Sequence, residues 1–245
     1  PAQACSSGVA WTRSARTGCP VPVCLPNLEE TPMKTRAIHF SRRAVMLSAL
    51  ALMGAGLYWL PGPVRANAQV GQSAPLFAGT DSQGKVHRLA DYRGKTVVLE
   101  WTNHDCPYVR KHYGSGNMQQ LQRQAAADGV LWLTIISSAP GKQGHVTGRQ
   151  ADELTRSRGA APHAVLLDER GEIGRLYAAK TTPHMYIIDA RGSLVYMGGI
   201  DDRPTADPAD IMGARNHVAM ALAELKAGKP VSQAVTRPYG CSVKY

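Results

Sequence analysis

Downstream of residue 69, short apolar runs recur along the chain and predict the strands of a buried sheet. The two longest, residues 96–101 and 130–136, are nearly continuous in apolar character and rich in β-branched side chains. Runs of this kind are typical of strands that are buried on both faces. Shorter runs predict an edge strand and three further strands, at residues 86–89, 164–167, 185–188 and 194–197.

Helix-compatible segments lie between these runs. The first begins at Pro107 and ends near residue 113, where Gly114-Ser115-Gly116 interrupts it and Ser115 is expected to cap its continuation. Strands that alternate with helices, followed by a hairpin and a last helix, predict an α/β sandwich with a mixed central sheet. We assign this domain to residues 69–227, and residues 228–245 form a tail without periodicity. Three more helices are predicted, at residues 149–158, 172–179 and 214–227.

Residues 33–68 have the layout of a secretory signal peptide. Met33 opens a basic stretch, an apolar run follows at residues 44–60, and Pro61-Gly62-Pro63 ends that run. Small residues then form an A-x-A cleavage signal that ends at Ala68. We therefore expect cleavage after Ala68 and an exported, periplasmic domain, where thiols meet an oxidising environment.

The same segment has two other interpretations. Arg42-Arg43 also fits a twin-arginine export signal. An uncleaved apolar run would act as a membrane anchor, although this run is at the short limit for spanning. Residues 1–32 are rich in Pro, Ser and Gly and do not begin with Met, so we interpret them as a non-native upstream extension.

The net charge of +10 is spread unevenly and argues against nucleic acid as a partner. Seven of the 28 basic residues and two of the 18 acidic residues lie in residues 1–68, which leaves 21 and 16 in residues 69–245. This modest excess contains no run of Lys or Arg, so it does not form the basic patch of nucleic-acid-binding proteins. We predict no nucleic acid partner, and membrane contact only through an uncleaved signal segment.

Only two of the five cysteines, Cys106 and Cys241, lie in the predicted mature chain; the others are Cys5, Cys19 and Cys24. Two cysteines do not make a disulfide framework or a four-cysteine zinc site. Cys106 precedes Pro107 at a predicted helix start, where free N–H groups and the helix dipole stabilise a thiolate. Because its neighbours are polar, we interpret Cys106 as an exposed nucleophile rather than a buried inert cysteine. Nearby basic side chains are candidate modulators of its pKa or of substrate binding: His104, Arg110 and Lys111.

The order of strand, tryptophan, loop, Cys106-Pro107 and helix resembles the active-site segment of the thioredoxin superfamily. Thr181-Thr182-Pro183-His184-Met185 resembles the second signature of that superfamily, the cis-proline loop that faces the active-site cysteine. Residues 149–168 are similar to the extra helix and strand of peroxiredoxins and TlpA-like reductases. The Asp168-x-x-Gly171 turn that follows these residues is similar to the same two groups of proteins.

This resemblance covers residues 70–227 and is greatest for the redoxin or AhpC/TSA branch, in particular a peroxiredoxin-like group with a single active-site cysteine. It implies a thioredoxin-like three-layer α/β/α sandwich with a mixed central sheet and an extra αβ insertion. It also implies a thiol-dependent oxidoreductase that needs neither a cofactor nor a metal. The residues that would shape its site are Trp101, Pro107, Thr182 and Pro183.

The chain departs from the family patterns at Val109. Thioredoxins have a second cysteine at this position, and peroxiredoxins place their peroxidatic cysteine there within a Pro-x-x-x-Thr/Ser-x-x-Cys pattern. The only other cysteine of the predicted mature chain is Cys241, so we hypothesise that it packs near Cys106 and forms a reversible disulfide. The alternatives are an ordinary tail cysteine and a cysteine that pairs between chains.

Three functions follow from these residues. The first is an exported thiol-disulfide oxidoreductase: Cys106 attacks a protein or small-molecule disulfide or oxidised thiol, and Cys241 or an external thiol resolves it. The second is a peroxiredoxin-like antioxidant peroxidase, in which a hydroperoxide oxidises Cys106 to a sulfenic acid and Thr102 and Arg110 bind the peroxide. The third is a periplasmic copper-binding module, whose candidate soft and imidazole ligands are His104, Cys106, His112, His184 and Met185.

Overall fold

A computed structural model describes residues 67–245 of the chain. The predicted extension, residues 1–32, lies outside the described residues. So does the predicted signal segment, residues 33–68, except for Asn67 and Ala68. The side chain of Ala68 is buried against an apolar cluster of the domain. No helix within residues 67–245 combines the length and the apolar character needed to cross a membrane.

Residues 67–245 form nine β-strands and five α-helices, in the alternating order that the sequence predicts. The strands are β1 (Ala78–Thr80), β2 (Val86–Arg88), β3 (Val97–Trp101), β4 (Leu131–Ile136), β5 (Ala164–Leu167), β6 (Thr181–Thr182), β7 (His184–Ile188), β8 (Leu194–Gly198) and β9 (Cys241–Ser242). The helices are α1 (Pro107–Gly114), α2 (Asn117–Ala127), α3 (Gly148–Ser157), α4 (Glu172–Leu176) and α5 (His217–Lys226). Two short 3₁₀ helices cover Leu89–Tyr92 and Pro208–Gly213.

Five strands make up the central sheet, in the order β5–β4–β3–β7–β8. Strand β4 is parallel to both β3 and β5, whereas β7 is antiparallel to both β3 and β8. The sheet is therefore mixed, as predicted. The predicted insertion at residues 149–168 corresponds to α3 and β5, and β5 lies at the edge of the sheet. The strand predicted at residues 86–89 is not part of this sheet, because β2 pairs with β1 in a separate two-stranded sheet.

Side chains alternate across β3, and each set enters its own apolar cluster. Leu99 and Trp101 join a cluster that includes Ile173 of α4, whereas Val98 enters a cluster on the opposite face. That second cluster contains residues from three helices: Val109 of α1, Leu121 of α2 and Val218 of α5. Helices thus cover both faces of the sheet, which explains why residues 96–101 are almost continuously apolar.

The break between α1 and α2 differs from the sequence-based prediction. Ser115 follows the end of α1, and its hydroxyl donates to the carbonyl oxygen of His112 at 3.3 Å, so the predicted cap on α2 is wrong. The residue before α2 is Gly116, with φ at +77°, a conformation that glycine adopts without steric cost. Helix α4 is also shorter than predicted, because Ala178 adopts a positive φ of 51° soon after its end.

The tail beyond α5 is docked on the domain. Thr236 N–H donates to the carbonyl oxygen of Met197 in β8 at 3.1 Å. Farther along, β9 pairs with β6, and Ala139 N–H donates to the carbonyl oxygen of Lys244 at 2.9 Å. Residues 228–245 therefore belong to the domain, although their sequence carries no periodic pattern.

Truncation of a central core side chain is expected to destabilise this domain. Leu133 of β4 is fully buried, so Leu133→Ala should lower the free energy of unfolding by about 2–5 kcal/mol through lost burial and a cavity. Leu76→Ala is the matched control, since Leu76 is largely exposed, and should change stability by less than about 0.5 kcal/mol. Urea denaturation of both variants measures the difference, and equal effects would contradict the assigned core.

Candidate active site

Cys106 lies between β3 and α1, where the sequence predicts it. It is the N-cap residue of α1, and Pro107 is the first helical residue, where its missing N–H is not needed. The preceding loop is held by Asn103. Its side-chain oxygen accepts a hydrogen bond from Asp105 N–H at 2.9 Å, and its carbonyl oxygen accepts one from Cys106 N–H at 3.1 Å. The cysteine is therefore fixed in position at the start of the helix.

The loop before β7 faces this cysteine. The peptide bond between Thr182 and Pro183 is cis, as the resemblance to the cis-proline loop implies. Cys106 Sγ donates to the carbonyl oxygen of Thr182 at 3.0 Å. The two segments that the sequence singled out thus meet at the sulfur of Cys106.

Strand β9 brings the tail cysteine to the same place. It pairs antiparallel with β6, and Cys241 lies opposite Thr182 in this pairing. Cys106 Sγ contacts the carbonyl oxygen of this same Thr182, so the two cysteines, both free thiols, are neighbours in the fold. A Cβ atom at Gly240 would lie 2.1 Å from the carbonyl oxygen of Thr182. Glycine at this position is therefore required for the close approach of the two backbones.

Cys106 is more buried than the sequence predicts. Its polar neighbours led us to expect an exposed side chain, but the residue is 0 % exposed. It packs in the cluster that includes Val98 and Val109, and Cys241 packs against that cluster. Cys241 is distant from Cys106 in sequence, so the residues next to Cys106 gave no sign of this packing.

The pKa of Cys106 reflects a balance between burial and hydrogen bonding. Burial raises the pKa, but hydrogen bonds to the sulfur outweigh burial, and the pKa lies below its usual value. The largest of these stabilising contributions comes from the Cys241 thiol, followed by the backbone N–H groups of Cys241 and Val109 and the side chain of Thr182. Burial and the interaction with Cys106 raise the pKa of Cys241 to about 11. Cys241 therefore keeps its proton when Cys106 is ionised.

The three basic residues predicted to modulate Cys106 direct their polar groups elsewhere. Arg110 is paired with Asp105 at 3.2 Å, and burial lowers the pKa of His104, so its ring is largely neutral near pH 7. Lys111 is buried, and its Nζ donates to the carbonyl oxygen of Arg203 at 2.7 Å. The hydrogen bonds that lower the pKa of Cys106 come from the tail, the helix start and the cis-proline loop instead.

Residues 70–197 match the family model of the AhpC/TSA family. The chain belongs to the AhpC/TSA family. This confirms the predicted redoxin family, and the described sheet and helices confirm the predicted thioredoxin-like α/β fold. It also supports the predicted enzyme class, an oxidoreductase.

Two curated proteins similar to this AhpC/TSA-family chain are both named thiol-disulfide oxidoreductase ResA. The protein from Geobacillus kaustophilus (strain HTA426) is 28 % identical over 161 residues, which cover 61 % of this chain and 92 % of that protein. The protein from Geobacillus thermodenitrificans (strain NG80-2) is 26 % identical over 169 residues, which cover 66 % and 87 %.

Two solved structures are also similar to this family member. One is an uncharacterized conserved protein from Geobacillus kaustophilus, with a TM-score of 0.61, 28 % identity, and coverage of 72 % of this chain and 92 % of that chain. The other is a hypothetical protein from Sinorhizobium meliloti 1021, with a TM-score of 0.60, 21 % identity, and coverage of 74 % and 96 %. The second, at this low identity, shows the fold alone.

Trp101 does not shape the site of this AhpC/TSA-family chain in the way the sequence predicts. It belongs to the first apolar cluster, on the opposite face of the sheet from the cluster of Cys106. Its Nε1 donates to the hydroxyl of Ser137 at 3.0 Å, and its ring packs against Tyr186 with the ring centroids 5.0 Å apart. Its role is to build the core behind the site.

The candidate copper ligands do not form one cluster. His112 and His184 are buried and bonded within the protein, to Tyr239 at 3.0 Å and to Tyr186 at 3.1 Å. Met185 is also fully buried. Within residues 67–245, no group of three or more His, Cys, Asp or Glu side chains is arranged to hold a metal ion.

Sequence reasoning missed two buried carboxylates near the site. Glu100 is fully buried and accepts hydrogen bonds from Tyr113 at 2.8 Å and Trp132 at 2.7 Å, and burial raises its pKa. Its signal was present, since it is the only acid within the apolar run at residues 96–101. Asp201 is buried too. It bonds the hydroxyl of Tyr239, two residues before Cys241.

Removal of the Cys241 thiol is expected to raise the pKa of Cys106, because that thiol makes the largest stabilising contribution to its thiolate. Cys241→Ala should shift the pKa upward, whereas Cys241→Ser keeps a hydroxyl donor and should shift it less. The pH titration of the NMR signal of the Cys106 Cβ carbon measures the pKa directly. Equal values in all three proteins would refute the contribution of the Cys241 thiol to the pKa of Cys106.

Proposed function

We propose that this chain is an exported thiol-disulfide oxidoreductase in which Cys106 is the attacking thiol and Cys241 the resolving thiol. The observation that carries the proposal is the placement of both free thiols at Thr182 of the cis-proline loop: Cys106 Sγ donates to the Thr182 carbonyl oxygen, and Cys241 pairs with Thr182 across β6 and β9. Thiol–disulfide exchange needs a thiolate, and the hydrogen bonds around Cys106 lower its pKa. The relatives named thiol-disulfide oxidoreductase support the same chemistry.

In the first step, the Cys106 thiolate attacks a substrate disulfide. The substrate S–S bond breaks, a mixed disulfide forms between Cys106 and one substrate sulfur, and the other substrate sulfur leaves as a thiolate that takes up a proton. The Val109 N–H at the helix start and the Thr182 side chain stabilise the attacking thiolate during this step.

In the second step, Cys241 attacks the sulfur of Cys106 and releases the remaining substrate thiol. The Cys106–Cys241 disulfide forms, and the substrate has gained two electrons and two protons. In the resting protein, burial and the negative charge of the Cys106 thiolate raise the pKa of Cys241. Formation of the mixed disulfide removes that negative charge, so Cys241 loses its proton more readily when its attack is required. An external thiol then reduces the Cys106–Cys241 disulfide.

The proposed substrates are protein or small-molecule disulfides. The structure gives little support to the peroxidase function. Of the two candidate peroxide-binding residues, Thr102 is buried, whereas Arg110 is exposed and paired with Asp105. The Pro-x-x-x-Thr/Ser-x-x-Cys pattern of peroxiredoxins is also absent from the sequence. Disulfide exchange is therefore the function that the site supports best.

The two cysteines are expected to have different roles in catalysis. In a background in which Cys5, Cys19 and Cys24 are replaced by Ser, Cys106→Ser should lower the rate of insulin disulfide reduction by about a hundredfold or more, through loss of the nucleophile. Cys241→Ser should still react with oxidised glutathione, but should accumulate the Cys106–glutathione mixed disulfide. Mass spectrometry under non-reducing conditions identifies the products.

Ser242→Ala is the matched control for this experiment, since it alters the neighbouring tail residue without changing a thiol. It should form the internal disulfide like the parent protein. Two free thiols in the parent after mild oxidation would refute the resolving role of Cys241. Consumption of hydrogen peroxide that depends on Cys106 and exceeds disulfide exchange would assign the chain to the peroxidases instead.

Export is tested by the N-terminus of the processed protein. Expression in a Gram-negative host should yield periplasmic protein that begins at Gln69, because cleavage is expected after Ala68. Replacement of both Arg42 and Arg43 by Lys should block export only if the twin-arginine route is used. Protein that stays in the cytoplasm with residues 33–68 intact would contradict the proposed export.

A further inference from the structure

The tail is anchored two residues before Cys241 by Tyr239, which is buried. The Tyr239 hydroxyl bonds the carboxylate of Asp201 and lies 3.0 Å from Nε2 of His112. Asp201 follows β8, and His112 lies on α1, the helix that begins directly after Cys106. One tyrosine therefore ties the segment that carries Cys241 to the helix that positions Cys106.

The hydrogen bonds around Tyr239 run in one direction. Burial lowers the pKa of His112 to about 4, so its ring is neutral and has one donor and one acceptor nitrogen. Asn117 Nδ2 lies 2.8 Å from His112 Nδ1, which therefore accepts, and Nε2 donates to Tyr239. The Tyr239 hydroxyl then donates to Asp201, so each side chain in this series of hydrogen bonds has a partner.

The last acceptor in this series of hydrogen bonds is the carboxylate of Asp201, a buried ion rather than a neutral group. Lys111 Nζ lies 3.6 Å from Asp201 Oδ2, and both side chains are buried. The ring of Tyr239 also packs edge-on against Tyr108 of α1, with ring centroids 5.8 Å apart. Hydrogen bonds to ions are stronger than those between neutral groups. By contrast, the β6–β9 pairing that holds Cys241 itself is only two residues long on each side.

We propose that Tyr239 is a positioning residue for the disulfide reaction. The hydrogen bonds of its hydroxyl with Asp201 and His112, here called the clamp, set the effective concentration of Cys241 at Cys106. The proposal rests on the Cys106–Cys241 pairing proposed above. In the oxidised protein the S–S bond holds the tail in any case. In the reduced protein the tail is held by its non-covalent contacts, so loss of the clamp favours the undocked, reduced state and weakens the disulfide.

The effective concentration is measured by equilibration with glutathione. One Cys106–Cys241 disulfide and two glutathione thiols give two protein thiols and one glutathione disulfide, so two electrons and two protons are transferred. Both protein forms are folded in this equilibrium. A substitution that destabilises the two forms equally leaves the equilibrium constant unchanged. A purely structural role of Tyr239 would therefore not change the measured effective concentration.

The experiment uses the full chain with Cys5, Cys19 and Cys24 replaced by Ser. Tyr239→Phe removes the hydroxyl, keeps the ring, and should lower the effective concentration by about tenfold or more. Tyr245→Phe is the matched control, because its hydroxyl donates to the neutral carbonyl oxygen of Ala179 at 3.1 Å, and it should change the value by less than about threefold.

An effective concentration for Tyr239→Phe within about twofold of the parent value overturns the proposal, as do equal losses in both tyrosine variants. A parent protein that forms only mixed disulfides with glutathione refutes the pairing itself, and this outcome is distinct because it appears without any change at Tyr239. If Tyr239→Phe does not fold, Asp201→Asn replaces the charged acceptor of the Tyr239 hydroxyl with a neutral one. It should lower the effective concentration in the same direction, and an unchanged value overturns the proposal.

Discussion

The site depends on one contact, the antiparallel pairing of Cys241 with Thr182. This pairing places the tail thiol against Cys106, and the tail completes the enclosure of a sulfur that is already held by a helix start and a loop. It also explains Gly240, where any side chain would collide with the backbone of Thr182. Burial, thiol reactivity and the proposed resolving step therefore all depend on the last residues of the chain.

Two opposing effects act on the same sulfur. Enclosure by the tail disfavours a negative charge on Cys106, yet the tail also supplies the Cys241 thiol and a backbone N–H that stabilise that charge. Together with the Val109 N–H and the Thr182 side chain, the second effect outweighs burial, and the pKa of Cys106 lies below its usual value. The pKa of Cys241 moves the other way, because burial and the Cys106 sulfur both disfavour its thiolate. Cys106 is therefore the thiol that ionises first, which fits its proposed role as the attacking residue.

Local patterns in the sequence were sufficient to predict the central sheet, the position of Cys106 at a helix start and the loop at Thr182-Pro183. Each of these depends on neighbouring residues: an apolar run, a cysteine before a proline, and a proline before a strand. The burial of Cys106 and the partners of Lys111 and His112 depend on contacts with Asp201 and the tail, far away in the chain. No local pattern encodes such contacts, so the sequence alone could not predict the partners of these basic residues.

In the proposed reaction, Val109 stands where the usual second cysteine would be, and the resolving thiol comes from another part of the fold. The Val109 N–H still stabilises the Cys106 thiolate, so the electrostatic role of the helix start is kept. The proposed resolving thiol lies on the tail strand, and Cys241 packs against the same apolar cluster as Cys106. In the proposed reaction the attacking thiol and its resolving partner are therefore distant in sequence but adjacent in the fold.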